Sequence, residues 1–316
     1  MKHSTHNALA LLASLLAVSL IVSALRQRRL SAGPPRRAPP IRVGFVGNSF
    51  TYYNDLPGVL SRATGVAVDA CTRGGASLAS LLRDGGDGTG LAAVRFAKAA
   101  LARARGADAS KKRAAEAEAT EAQRIADATN KVDVPAAARD LRAFLGDVQR
   151  DVVVVQDFSR GPIKNRDEGV SALRTLAPLL REARVVVLYS TWAYDNALTR
   201  ADDDLRDTTA MARGLQEGYE EYARALQAAG VETIAIAPVG AAFELVREAD
   251  EARWRSLFAR DGYHPSPAGT YLAARVIHLT ISTALRDKGG AEIAWHEDDG
   301  PADLADAARR ACEARV

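Results

Sequence analysis

Five short apolar runs rich in β-branched residues recur along the chain, at 41–46 (IRVGFV), 66–70, 152–155, 185–189 and 231–237. Each reads as a buried strand. Between them lie stretches with helical spacing, for example 170–182 and 215–229. Near-continuous apolar strands that alternate with helices require a parallel sheet covered on both faces. The expected fold class is therefore α/β, a three-layer α/β/α flavodoxin-like domain around a five-stranded parallel sheet. Such sheets bind ligands outside the carboxyl ends of their strands, so the residues directly after each strand are the ones that matter for function.

After the first strand comes Gly47-Asn48-Ser49-Phe50-Thr51, and Asp55-Leu56-Pro57 opens the next helix. Ser49 falls on the strand-to-helix turn, exposed at the carboxyl edge, where helix N–H groups can stabilise developing negative charge. More than two hundred residues later the chain reads Asp261-Gly262-Tyr263-His264-Pro265, then Ser266-Pro267 opening a helix through 270–285. Asp and His three apart on a turn can set the carboxylate against Nδ1, which leaves Nε2 to take a proton from a hydroxyl. Three histidines lie beyond residue 40. His278 falls within the last helix as a packing or surface residue and His296 lies in a polar tail, so His264 is the well-placed base.

These residues resemble the SGNH hydrolase superfamily, the GDSL-like esterases and lipases, and more narrowly the branch whose first block reads GNSFT in place of GDS. The resemblance spans about residues 41–286, with the first block at Gly47–Thr51 and the last at Asp261–His264, continued by HPSPAGTYLAA. It implies Ser49 as nucleophile, His264 as general base and Asp261 as the residue that orients it. Arg73-Gly74-Gly75-Ala76-Ser77 matches the second block. That makes Gly75 an oxyanion-hole N–H donor, the alternative being a plain turn. The third block departs from the superfamily's G-x-N-D, whose Asn is a second oxyanion donor. Here the strand runs into Gln156-Asp157-Phe158-Ser159. Gln156 is either the substitute donor or a structural amide that ties down the loop, and Q-x-x-S is similar to the branch's own pattern.

The implied activity is serine-dependent hydrolysis of a carboxylic ester through an acyl-enzyme, for instance a small acyl group such as acetyl on a carbohydrate. It needs no metal or organic cofactor. The altered third block keeps open a catalytically inactive module of the same fold that binds glycans or a partner. A membrane-tethered interaction protein is a further alternative.

The whole chain has 42 Lys+Arg against 39 Asp+Glu, but residues 1–40 hold six cations and no acid. Residues 41–316 therefore carry 36 against 39, a slightly acidic body that excludes a nucleic-acid binder held by a dense basic face. Residues 8–25 are an uncharged apolar stretch. Residues 1–25 read as a signal peptide or signal anchor, which places the protein in the secretory pathway, secreted or anchored facing the lumen or outside. Arg26, Arg28 and Arg29 on its far flank favour the opposite topology, and a disordered apolar extension is the third reading. Residues 26–40 form a Pro/Arg-rich linker, and the catalytic domain runs over 41–288. Within it lies a charged, Ala-rich insertion at 91–131, whose stretch 102–124 has no apolar stripe for docking. Residues 289–316 read as a polar tail, and His296-Glu297-Asp298-Asp299 as a solvated acidic run, since consecutive residues do not converge on a metal.

Trp192, after the fourth strand, is either a stacking face for a sugar or a core aromatic. Thr191–Ala193 and Ala237–Gly240 are expected to shape the pocket. Gly85–Gly90 lacks the Lys-Ser/Thr pair of a phosphate loop and reads as a flexible loop. Cys71 and Cys312 are too few for a disulfide framework.

Overall fold

The computed structural model describes residues 40–86, 140–194, 205, 207–290, 292–296 and 300–314. The leader, most of the linker, the insertion, Asp87–Gly90 and Glu297–Asp299 lie outside them. The described residues from 41 onward belong to one compact unit.

The five expected strands are β1 (Arg42–Gly47), β2 (Ala67–Thr72), β3 (Val152–Val155), β4 (Val185–Ser190) and β5 (Ile234–Pro238). They build one sheet in the order β2-β1-β3-β4-β5, and every pairing is parallel. The strands are apolar throughout because both faces are covered. Val152 and Val154 of β3 enter one core while Val153 and Val155 enter the other, and β4 divides Val185 and Val187 from Val186 and Leu188 in the same way.

The helices, in chain order, are α1 (Ser49–Tyr52), α2 (Leu56–Thr64), α3 (Leu78–Asp84), α4 (Leu141–Asp147), α5 (Gly161–Lys164) and α6 (Arg166–Leu180). They are followed by α7 (Thr208–Ala228), α8 (Val239–Ala249), α9 (Glu251–Arg255), α10 (Pro267–Asp287) and α11 (Ala302–Glu313). Helices α2, α8, α10 and α11 supply the first core, and α3, α4 and α6 the second. Helix α7 closes the β5 side and contributes to both, through Met211 and Leu215 to one and Tyr219 and Leu226 to the other.

Helix α11 corrects the reading of 289–316 as a tail outside the domain. Leu304, Ala307, Ala308 and Ala311 recur at helical spacing and are buried against the first core. The stripe faces the core while Asp303, Asp306, Arg309 and Arg310 are exposed, the pattern of an amphipathic surface helix. His278 of α10 is likewise internal, its Nε2–H donating to the Ile293 carbonyl at 2.6 Å. Cys71 and Cys312 form no disulfide. Among the described residues no helix is long and apolar enough to cross a membrane.

The strand order reverses direction of growth at β1, between β2 and β3. That switch leaves a crevice at the carboxyl ends of the strands, and there the loops after β1, β2, β3 and β4 meet.

Candidate active site

The first block is explained residue by residue. A Cβ on Gly47 would lie 2.2 Å from Thr51 Oγ1 and 2.5 Å from Gln156 Oε1, so only glycine lets those side chains pass. Asn48 caps α1 by accepting from the Phe50 N–H at 3.1 Å, and its Nδ2 donates to the Ala76 carbonyl at 2.9 Å. It thereby binds the β1 loop to the β2 loop. Phe50 is buried in a stack against Trp192, with centroids 4.7 Å apart. Thr51 is buried too, donating to Gln156 Oε1 at 2.9 Å. Ser49 alone in this segment is left half-buried, and it faces a cavity of about 610 Å³.

His264 lies on the wall of the same cavity. Its Nδ1 pairs with Asp261 Oδ2 at 2.7 Å, as the three-residue spacing predicts. Asp261 Oδ1 also accepts from the backbone N–H of Tyr263 (3.1 Å) and of His264 (3.0 Å), which fixes the turn. Burial alone would raise the Asp261 carboxyl, but the His264 ring and these two N–H groups bring it below the ordinary carboxylate value. The imidazole is held flat against Tyr53, with centroids 4.6 Å apart and planes 5° apart, and Tyr263 packs beside it at 4.3 Å. No hydrogen bond joins the Ser49 hydroxyl to the ring among the described residues, and such contacts commonly tighten when substrate seats.

Tyr53 is set by an unusual turn. Asn54 and Asp55 both have positive φ, 51° and 55°, a conformation that costs non-glycine residues on the order of 1–3 kcal/mol each. Tertiary bonds hold it. Asn54 Nδ2 donates to the Pro265 carbonyl at 2.8 Å and to Thr270 Oγ1 at 2.9 Å, and Asp55 accepts from Gly58 N–H and Arg62. The turn after β1 is thus tied to the residue that follows His264.

Gly75 lies on the cavity wall with φ +68°, at the third position of a turn closed by Ala76 N–H to the Arg73 carbonyl. The left-handed conformation explains the glycine.

Gln156 is not brought to the cavity. It is fully buried, and its Oε1 accepts from the Asn48 N–H (2.9 Å) and from Thr51, while its Nε2 donates to the Asp157 carbonyl. The donors around Oε1 fix which end of the amide is which. Both ends are therefore used inside the protein, and the oxyanion reading of Gln156 gives way to that of a structural amide. The neighbouring Asp157 carboxylate accepts from Leu78 N–H, Phe158 N–H and the Tyr222 hydroxyl, and burial raises its pKa above the ordinary value.

Trp192 is a core residue, sandwiched between Phe50 and Phe243 and fully buried. Its Nε1–H donates to the Tyr263 carbonyl at 3.0 Å, so it supports the His264 turn from behind. The described cavity wall contains neither Thr191–Ala193 nor Ala237–Gly240. It contains instead Tyr194, in the loop after β4, which the sequence did not single out, and Ser159 of the Q-x-x-S stretch, to which the sequence assigned no role. Among the described residues no group of three or more His, Cys, Asp or Glu side chains is placed to hold a metal.

No protein-family model and no curated protein matches the chain. Two solved structures are similar to it. One, a protein from Slackia heliotrinireducens provisionally described as an SGNH hydrolase, is 25% identical with a TM-score of 0.49; the match covers 77% of this chain and 100% of that one. The other, a DUF4886 family protein from Bacteroides uniformis, is 18% identical with a TM-score of 0.52, over 88% of this chain and 95% of that one. This second likeness bears on the fold alone. The chain has the three-layer α/β/α fold around a five-stranded parallel sheet that its sequence predicts.

Proposed function

We propose that the protein is a serine ester hydrolase with Ser49 as nucleophile, His264 as general base and Asp261 as its orienting carboxylate. The observation that carries this reading is the 2.7 Å pair of His264 Nδ1 with Asp261, on a cavity that Ser49 also lines. Asp261 fixes the tautomer with hydrogen on Nδ1, so Nε2 is the basic nitrogen. Ser49 Oγ attacks the ester carbonyl as its proton passes to Nε2, and the backbone N–H groups of Ser49 and Gly75 receive the developing oxyanion. The C–O bond to the alcohol then breaks, and His264 returns the proton to the departing oxygen. Water, activated by the same nitrogen, releases the acid.

A cavity of about 610 Å³ lies within the ~300–1,000 Å³ usual for small-molecule sites and exceeds what an acetyl group alone needs. Tyr53 and Tyr263 supply aromatic lining to it. This favours a ring-bearing ester such as an acylated carbohydrate. The apolar stretch at 8–25 fits the same reading, as a secretory leader or membrane anchor that carries the enzyme to extracellular or lumenal substrates.

The test is hydrolysis of p-nitrophenyl acetate by the full chain and by Ser49→Ala and His264→Ala. Both variants are expected to fall by a similar large factor, because such residues act as a unit. Hydrolysis that survives Ser49→Ala unchanged defeats the serine mechanism. Absence of activity across an ester panel favours a binding module.

A further inference from the structure

We propose that the Ser159 hydroxyl, held in place by Tyr194, is the side-chain oxyanion donor of this site. The inference rests on the serine-hydrolase reading and supplies what that reading lacks once Gln156 is placed in the interior. A second side-chain candidate, Asn48, is also committed, since its Nδ2 donates to the Ala76 carbonyl at 2.9 Å and to the Asp157 carbonyl at 3.5 Å.

Sheet order says where a donor should come from. Strand β1, whose loop carries Ser49, has β2 on one side and β3 on the other. The β2 loop brings Gly75 to the cavity wall, and the β3 loop brings Ser159. The two would bracket a carbonyl attacked by Ser49, while His264 enters on a separate loop before α10.

Ser159 is positioned by a rigid segment. Gly161 N–H closes a turn onto the Phe158 carbonyl at 2.7 Å, and a Cβ on Gly161 would lie 2.7 Å from Asp157 Oδ2. Asp157, bonded to α3 and to Tyr222 of α7, anchors the start of that turn. A donor fixed before reaction pays no reorganisation as charge develops.

The remaining question is which way the Ser159 hydrogen points. Ser159 and Tyr194 are both buried, 5% and 9% exposed, and their hydroxyls share a short hydrogen bond. A phenol with its oxygen on the serine oxygen is the better donor of the two, and burial keeps it protonated by raising its pKa. With Tyr194 donating to Ser159 Oγ, the serine's single hydrogen is released toward the cavity. No proton is transferred along this pair: the Ser49 proton goes to His264, and Ser159 only donates a hydrogen bond to the oxyanion. Ser159 is thus catalytic and Tyr194 positions it.

The experiment uses the full chain with p-nitrophenyl acetate as substrate, methylboronic acid as a tetrahedral mimic and a fluorophosphonate as a label for Ser49. Ser159→Ala is expected to lower kcat by about 10²–10³ with KM unchanged, and to weaken the boronate in parallel. Tyr194→Phe should lower kcat less, and should cost nothing further in the Ser159→Ala background. Wild-type kcat and boronate affinity in a folded Ser159→Ala protein that still labels at Ser49 would overturn the proposal and leave the serine mechanism standing. Failure of the wild-type protein to label at Ser49, with hydrolysis undiminished in Ser49→Ala, would instead remove the serine mechanism. Should Ser159→Ala not fold, Tyr194→Phe decides alone. The proposal requires its kcat to fall with KM and thermal midpoint held, and an unchanged kcat overturns it.

Discussion

Replacing Gln156 by alanine separates a structural amide from an oxyanion donor. The substitution strips the Asn48 N–H and the Thr51 hydroxyl of their acceptor at the fully buried Oε1, and takes a donor from the Asp157 carbonyl. Each of the first two is a buried donor left unsatisfied, at a cost of about 1–3 kcal/mol. Together they amount to about 2–6 kcal/mol, before any allowance for the space the side chain leaves. For a domain of this size about 2 °C of thermal midpoint is lost per kcal/mol. The midpoint of Gln156→Ala should therefore fall by at least ~4 °C, read by calorimetry or circular dichroism on the full chain. Below that midpoint the folded fraction should keep kcat on p-nitrophenyl acetate within about tenfold of wild type, far short of the 10²–10³ lost with an oxyanion donor. A midpoint within ~1 °C of wild type, with kcat down a hundredfold, would refute the reasoning and return Gln156 to the oxyanion hole.

Asn54→Ala removes the ties to Pro265 and Thr270 from a residue at φ 51°. It should cost about 1–3 kcal/mol and lower kcat by loosening Tyr53 against His264. Asn54→Gly should recover part of the stability without recovering kcat, and a kcat unchanged in both argues against the turn's role. Leu304→Ala in α11, at a fully buried position, should destabilise the whole domain by about 2–5 kcal/mol in denaturant titration; a loss under ~0.5 kcal/mol would mean that α11 is peripheral. His278 has its pKa lowered by burial, which outweighs the bond to the Ile293 carbonyl. The native state thus refuses a proton that the unfolded chain accepts, so stability is full above the unfolded value of about 6.5 and declines as pH falls below it. His278→Gln should flatten that acid-side decline in a series of thermal midpoints, and an unaltered slope would assign the decline to other groups.

The fold and the Asp261–His264 pair were legible because they rest on short-range patterns. Runs such as Val152–Val155 bury both faces, and that requirement alone demands helices above and below a parallel sheet. Asp261 and His264 are three residues apart, so a single turn suffices to pair them. Glycine at 47 and 75 was visible too, although part of the reason for Gly47 is a side chain more than a hundred residues away, the other part being Thr51 close by. What tertiary structure decided was the destination of polar and aromatic groups whose partners are remote. Gln156 and Ser159 lie in the same short loop, and nothing local tells which faces the cavity. The choice is made by Asn48 and Thr51 drawing the amide inward and by Tyr194 meeting the serine. Trp192 looked equally suited to a sugar or a core until Phe50 and Phe243 closed on its two faces. The helical spacing of Leu304, Ala307, Ala308 and Ala311 is present in the sequence, but the surface that covers the stripe is decided only by packing. Periodicity is a property of the chain, but a hydrogen-bond partner or a covering surface exists only once distant segments have packed.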